Sequence, residues 1–251
     1  MIAELPRTRL GVPGMVIIPA KDESASVGDV VRDVRDRVDC EVVVVDDASV
    51  DDTGSRAQAA GAKVLRMPFR VGAWGAVQAG MAYALAAGCQ VALTMDADGQ
   101  HPASAVKAVS APVVSGETDL AIGVCPERAS RARHVAWSVF RSMTGLNIQD
   151  VTSGMRAYNE RAMRVLTSRE AAMLSYQDVG VLLMLREAGL QATEVRIEMQ
   201  DRLNGHSRVY DSWWTVARYL TETFVLSAGK WRPSWHNDDL FVTSNGSGGN
   251  R

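Results

Sequence analysis

No stretch of this 251-residue chain approaches the run of about 18 apolar residues that a membrane-spanning helix needs, and Met1 to Pro13 holds two arginines but no apolar signal-peptide core. The sequence therefore predicts a protein without transmembrane helices, placed in the cytoplasm. Cysteine is scarce: Cys40, Cys89 and Cys125 are odd in number and none belongs to a CxxC pair. That pattern excludes a disulfide framework or a thiolate zinc site and reads as buried thiols in a reducing compartment. An excess of one charge is missing too. With 27 Lys and Arg against 29 Asp and Glu, the net charge is -2, so no global basic field exists to attract nucleic acid. The turn after the first apolar run lacks a glycine-rich phosphate loop, which argues against a nucleotidyltransferase-like module.

What is present is an ordinary globular balance, 47% apolar and 22% charged, able to bury a real core over this length. Met15 to Ile18, Glu41 to Val45, Lys63 to Met67, Val91 to Met95 and Leu120 to Ile122 are apolar or β-branched runs, as expected of strands covered on both faces. Helical stripes separate them: Val27, Val30, Val31, Val34 and Val38, with Ser24 or Ser26 as N-cap; Val77, Met81 and Leu85; and Val106, Val109 and Val113, opened by Pro102. Five strands and four crossovers predict an α/β fold with a doubly wound, mainly parallel sheet and helices on both faces. Farther on, helices are expected at Arg131 to Met143, Val179 to Ala188 and Asp211 to Ser227, an irregular or extended stretch at Val151 to Tyr158, and a strand at Ala192 to Met199. No repeat or long linker intervenes, so residues 1–232 read as one domain and 233–251 as a flexible tail.

The strand ends carry the chemistry. Asp96, Ala97, Asp98, Gly99 and Gln100 follow the run that ends at Met95. Two carboxylates at i and i+2 suit a hard cation such as Mg2+ or Mn2+, which takes oxygen ligands and shares them with substrate phosphates. A strand ending in an Asp-Gly turn is the plain alternative. Asp46 and Asp47 follow the second strand, and Lys21, Asp22 and Glu23 follow Pro19 after the first. In a doubly wound sheet ligands gather beyond these carboxyl ends, and three loaded tips on one edge favour a nucleotide-and-metal site over turn propensity.

Five segments then occur in a familiar order: Ile18 to Glu23; Val44 to Ser49 with Asp51, Asp52 and Thr53; Met95 to Pro102; Asp150 to Tyr158; and Asp201, Arg202, Gly205, Ser207 and Arg208. Over roughly Val16 to Arg208 the chain resembles the family 2 inverting glycosyltransferases of the GT-A fold, especially dolichol-phosphate mannose synthases and bacterial polyprenyl-phosphate glycosyltransferases. The resemblance implies a Rossmann-like GT-A domain with a nucleotide-sugar half at about 14–125 and an acceptor-side half at about 126–232. It implies a GDP- or UDP-hexose donor whose base and ribose lie near Pro19, Ala20, Glu23 and Asp47. It also implies a Mg2+ or Mn2+ ion with its bridged diphosphate on Asp96, Asp98 and Gln100, Asp98 being the foremost ligand and catalytic candidate.

Arg156, and Arg202 with Ser207 and Arg208, are implied contacts to donor or acceptor phosphate, and Gly154 and Gly205 would let the backbone approach the ligand. Plainer roles stand beside these. Glu23 suits a first helical turn, Asp46 or Asp47 can cap the next segment, a buried Arg156 can tie the Asp150 loop together, and His101 is a turn residue before it is a ligand. After Gly123 the chain departs from the family, since Cys125 stands where many members have an arginine. Arg128, Arg131 and Arg133 either restore that charge beside the diphosphate or line a solvated helix start.

The resemblance implies a lipid phosphate acceptor, and the acceptor decides whether a base is needed. A hydroxyl must lose its proton as it attacks, whereas a lipid phosphate is already anionic and needs alignment more than a base. Asp178 matches an aspartate of one family pattern, but the glutamate often found two residues later is Gly180 here. Asp178 is thus a candidate base or acceptor-side residue, or a helix N-cap. Trp213, Trp214, Trp231 and Trp235, with Lys230 and Arg232, suit a membrane interface, or else pack on the core. The expected reaction is inverting hexosyl transfer from a nucleotide sugar to polyprenyl (dolichyl or undecaprenyl) phosphate, with peripheral contact at the cytoplasmic face of a membrane or through a membrane partner. The rivals are a soluble family 2 transferase acting on a glycan or other hydroxyl, and an inactive sugar-nucleotide binding protein.

Overall fold

The computed structural model describes residues 14–125, 148, 153–174 and 179–199. Strand β1 (Met15–Ala20) shows why the apolar runs are unbroken. Met15 and Ile17 enter one core while Val16, Ile18 and Ala20 enter the other, so a strand buried on both faces has no solvent side to mark with polar residues. In chain order there follow α1 (Val27–Arg37), β2 (Glu41–Asp46), α2 (Thr53–Ala59), β3 (Lys63–Arg66), α3 (Gly72–Ala86), β4 (Val91–Thr94), α4 (Ala105–Val114), β5 (Leu120–Val124), β6 (Arg156–Asn159), α5 (Glu160–Leu166), a single 3-10 turn (Ala171–Met173), α6 (Val179–Glu187) and β7 (Ala192–Arg196).

The sheet order is β3-β2-β1-β4-β6-β5-β7. β1 pairs in parallel with β2 on one side and with β4 on the other, so the chain reverses its direction of winding there and a crevice opens beyond their carboxyl ends. The α1, α2 and α4 helices pack on one face and α3, α5 and α6 on the other. Trp74 Nε1 donates to Ala171 O at 2.8 Å and Gln78 Nε2 to Leu166 O at 2.8 Å, which ties α3 to the α5 region across that second face.

The mainly parallel α/β sheet is as expected, with corrections in detail. Among the described residues the sheet has seven strands: to the five expected in the first half and the one expected from Ala192, which lies as β7 at the edge of β5, it adds β6, antiparallel between β4 and β5. The expected strand to Met199 ends at Arg196, and the stretch expected to be irregular or extended yields β6. Helix α5 was not foreseen: it is only 7 residues long, and its start is set by Asn159, whose side-chain oxygen accepts the Ala162 N–H at 2.9 Å. Helix α4 starts at Ala105 rather than Pro102, since Ala105 N–H first closes a turn onto Pro102 O at 3.0 Å. Ser26 does stand at the N-cap of α1, yet its hydroxyl contacts Glu23 instead of capping an amide. Cys89 is buried, while Cys40 and Cys125 are partly exposed. Burial pushes the Cys40 thiol up to about 12 and the Cys89 thiol up to about 11, so both stay protonated at neutral pH. The helices expected at 131–143 and 211–227 lie outside the described residues.

Candidate active site

Because β1 lies between β2 and β4, the three acidic tips meet on one edge of the sheet. At the first two tips most side chains are used to hold backbone. Lys21 Nζ donates to Ala48 O at 2.6 Å, Asp22 N–H donates to Ser49 Oγ at 3.0 Å, and Asp22 Oδ1 accepts the Val50 N–H at 2.9 Å. Glu23 N–H donates to Thr53 Oγ1 at 2.8 Å, and the Glu23 carboxylate accepts from Ser26 Oγ at 3.2 Å. This lacing holds Asp22 and Ala48 at φ 52° and 54°, a left-handed conformation that side chains other than glycine avoid.

The aspartates of the β2 tip have backbone partners. Asp46 accepts the Ser49 N–H at 3.0 Å. Asp47, 3% exposed, accepts Val71 N–H on Oδ1 at 2.6 Å and Gly72 N–H on Oδ2 at 2.9 Å, so it caps the start of α3 with both oxygens. The cap weighed in the sequence was of the next segment; the helix that Asp47 caps is instead α3, more than twenty residues on. Asp51 holds the same loop through Thr53 and Ser24. Its partial burial alone would raise its pKa, but the hydrogen bonds from those two residues outweigh it and hold the carboxyl at about 2.

The β4 tip is built differently. Gly99 at φ 79° turns the chain so that Gln100 N–H reaches Asp98 Oδ1 at 3.0 Å, leaving Asp98 only 7% exposed. The Asp96 side chain is 49% exposed, and its amide N–H donates to His101 Nδ1 at 3.3 Å. Gly154 lies flat against this carboxylate: a Cβ there would sit 2.5 Å from Asp96 Oδ1 and 2.7 Å from Oδ2. Thr94 Oγ1 holds that backbone in place by donating to Gly154 O at 2.9 Å. The close approach expected of Gly154 is therefore to the acidic side chain itself. Thr94 was overlooked in the sequence, although one hydroxyl inside an otherwise apolar buried run was a usable signal.

The described part of the predicted site thus comes together in two groups, Pro19, Ala20, Glu23 and Asp47 on the β1 and β2 side, and Asp96, Asp98 and Gln100 on the β4 side. Arg156 begins β6 with 0% exposure and donates Nε to Ser153 O at 2.9 Å, which organises the segment that walls Asp96. Arg128, Arg131, Asp178, Arg202 and Ser207, together with Arg133, Gly205 and Arg208, lie outside the described residues. Among the described residues no three His, Cys, Asp or Glu side chains converge as a closed metal cage. Asp96, Asp98 and Gln100 on this one turn offer carboxylate and amide oxygens, a donor chemistry that fits a hard divalent cation completing its shell with phosphate oxygens and water.

Comparison with known proteins points the same way. The sequence profile of Glycosyl transferase family 2 matches residues 15–167. The chain is 31% identical over 211 residues to an undecaprenyl-phosphate mannosyltransferase of Micrococcus luteus, covering 78% of this chain and 86% of that one. It is 26% identical over 216 residues to a polyprenol monophosphomannose synthase of Mycolicibacterium smegmatis, covering 79% and 81%. In fold it resembles the crystal structure of glucosyl-3-phosphoglycerate synthase from Mycobacterium tuberculosis in complex with Mn2+, UDP and phosphoglyceric acid, with a TM-score of 0.68, 23% identity, and coverage of 87% of this chain and 79% of that chain. A profile match that runs from β1 through α5, joined to a relative sharing nearly a third of its aligned residues, assigns the acid-tipped sheet to a lineage: the chain belongs to glycosyl transferase family 2, with the GT-A fold.

Proposed function

We propose that this glycosyltransferase, folded as one domain over residues 1–232, moves a hexose of the mannose or glucose type from a GDP- or UDP-linked donor to polyprenyl phosphate with inversion. The observation that carries the reading is the meeting of the Asp96 and Asp98 tip with the β1 and β2 tips at the reversal point of the sheet. The names of the relatives, which act on undecaprenyl phosphate and polyprenol phosphate with mannose, support the lipid acceptor. In this reading the base and ribose lie along Pro19, Ala20, Glu23 and Asp47, and the donor diphosphate reaches across to the β4 tip. Asp96, Asp98 and Gln100 would hold Mg2+ or Mn2+; when bound, the ion offsets negative charge on the departing nucleoside diphosphate. A neighbour in fold holds Mn2+ together with UDP, which suits that assignment.

Transfer breaks the bond from the anomeric carbon to the donor phosphate oxygen and forms one from the same carbon to an acceptor phosphate oxygen on the opposite face. The acceptor is already anionic, so Asp178 acts in positioning rather than as an obligate base. Arg128, Arg131, Arg156, Arg202 and Ser207 are the proposed phosphate contacts or their supports. Among the described residues no helix is long and apolar enough to cross a membrane. The tryptophan-rich segment beyond residue 212 is therefore proposed to meet the cytoplasmic face of the bilayer or a membrane partner. Release of nucleoside diphosphate is measured across a panel of GDP- and UDP-hexoses, with Mg2+, Mn2+ or EDTA. Each is run with a short-chain polyprenyl phosphate, with a hydroxyl acceptor, or with neither. Metal-dependent release stimulated by the lipid phosphate is expected. Stimulation by the hydroxyl acceptor alone selects the soluble-acceptor rival, and donor binding without any release selects the inactive binding protein.

A further inference from the structure

His101 sits beneath the acidic turn and has no role in the transfer as described so far. It is 4% exposed, its Nδ1 accepts the Asp96 N–H at 3.3 Å, and its Nε2 makes no hydrogen bond among the described residues. The amide it holds is critically placed. Met95 N–H still donates to Ile17 O on β1 at 3.1 Å, whereas the next amide, that of Asp96, goes to the imidazole, so the chain leaves the sheet at the ligand residue. His101 also borders a cavity of about 250 Å3, lined by Met95, Ala103, Asp29, Asp33 and Arg37 among others. Asp29 and Asp33 are ion-paired with Arg32 and Arg37, and the cavity assembles no metal cluster. The same Nδ1 lies 3.5 Å from Asp96 Oδ2, so the buried ring meets both the amide and the carboxylate of Asp96.

We infer that His101 is a positioning residue for the metal-binding turn, its Nδ1 fixing the Asp96 amide and thereby the direction of the Asp96 carboxylate relative to Asp98. Hydrogen bonds that orient ligands in this way commonly change metal affinity by about 10- to 100-fold when removed. The inference rests on the metal reading given above. Mn2+ affinity is measured by EPR with GDP, and separately with UDP, for the wild type, His101→Asn and His101→Leu, alongside thermal melts without metal. Asn places its side-chain oxygen near the position of Nδ1, while Leu fills the space without an acceptor.

The expected result is affinity within about threefold of wild type for Asn and a loss on the order of 10-fold for Leu, with both folded. Equal losses in the two variants, or no loss in Leu, overturns the inference. Should His101→Leu fail to fold, His101→Gln, which carries its amide one bond farther from the backbone than Nδ1, takes its place under the same expectation. Wild-type protein that binds no Mn2+ overturns the metal reading and this inference together. Wild-type binding with indifferent variants overturns this inference alone.

Discussion

The tips of β2 and β4 each carry two aspartates, and the two sets have opposite fates. At β2, Asp46 and Asp47 turn their oxygens onto the amides of Ser49, Val71 and Gly72, and Asp47 is sealed from water. At β4, Asp98 closes its own turn while the Asp96 side chain remains half exposed against a bare glycine. A carboxylate whose oxygens receive backbone N–H groups stabilises a helix start or a loop, and its loss is felt in folding. One that presents oxygens at the mouth of a crevice can hold a cation, and its loss is felt in chemistry. The same residue type in the same kind of location thus serves structure at one strand end and, in the function proposed, a cation at the next.

That contrast can be broken most directly at Asp98. Asp98→Ala is expected to lower metal-dependent nucleoside diphosphate release by at least about 100-fold while the protein still folds without the Gln100 N–H acceptor, and wild-type release would end the distinction between the tips. Gly154→Ala tests the wall of the same site. The added methyl would meet Asp96 Oδ1 at 2.5 Å, so Mn2+ affinity read by EPR should fall on the order of 10-fold, whereas full affinity would mean that Asp96 is not a ligand.

The β2 tip should answer in the other currency. Asp47→Ala strips two amides at the start of α3 of their acceptor and is expected to lower stability in urea by about 1–2 kcal/mol, while the folded fraction still binds Mn2+. The smallest effect is expected at Asp51, whose pKa in the folded protein is about 2 against an ordinary 3.8. A depressed carboxyl pKa stabilises fully above the unfolded value and loses that contribution as pH falls from near 4 toward 2. Asp51→Asn should therefore flatten this part of the acid unfolding curve, measured in urea at pH 5 and pH 2.5. The change should stay under about 1 kcal/mol because the group is largely solvated.

Much of this architecture was legible in the amino-acid order. The core strands announce themselves as Val and Ile runs because both faces of each are covered, and the valine stripe of α1 repeats at helical spacing because only one side of that helix is. The DADGQ segment was readable as an oxygen-rich turn for the same local reason, since Gly99 and an adjoining aspartate favour that bend wherever they occur. Strand β6 was less legible: Arg156, Ala157, Tyr158 and Asn159 carry neither a long apolar run nor a clean alternation, and their extended state is secured by β4 and β5 on either side. The short α5 gave equally little periodicity to read. Asp46 and Asp47 were recognised as a loaded strand end, yet nothing adjacent to them reveals that Val71 and Gly72, more than twenty residues on, supply the amides that Asp47 holds.

Local order was enough to say which segments become strands, which helices cover them, and where acidic turns fall, because each follows from periodicity and backbone preference within a dozen residues. The distinction between an aspartate that caps a helix and one that can grip a cation came from assembly in three dimensions. It depends on groups brought in from far along the chain, the amides at the start of α3 for Asp47 and the backbone of Gly154 for Asp96. Hydrogen bonds and steric contact act over a few ångströms of space, whatever the number of residues that separate the partners.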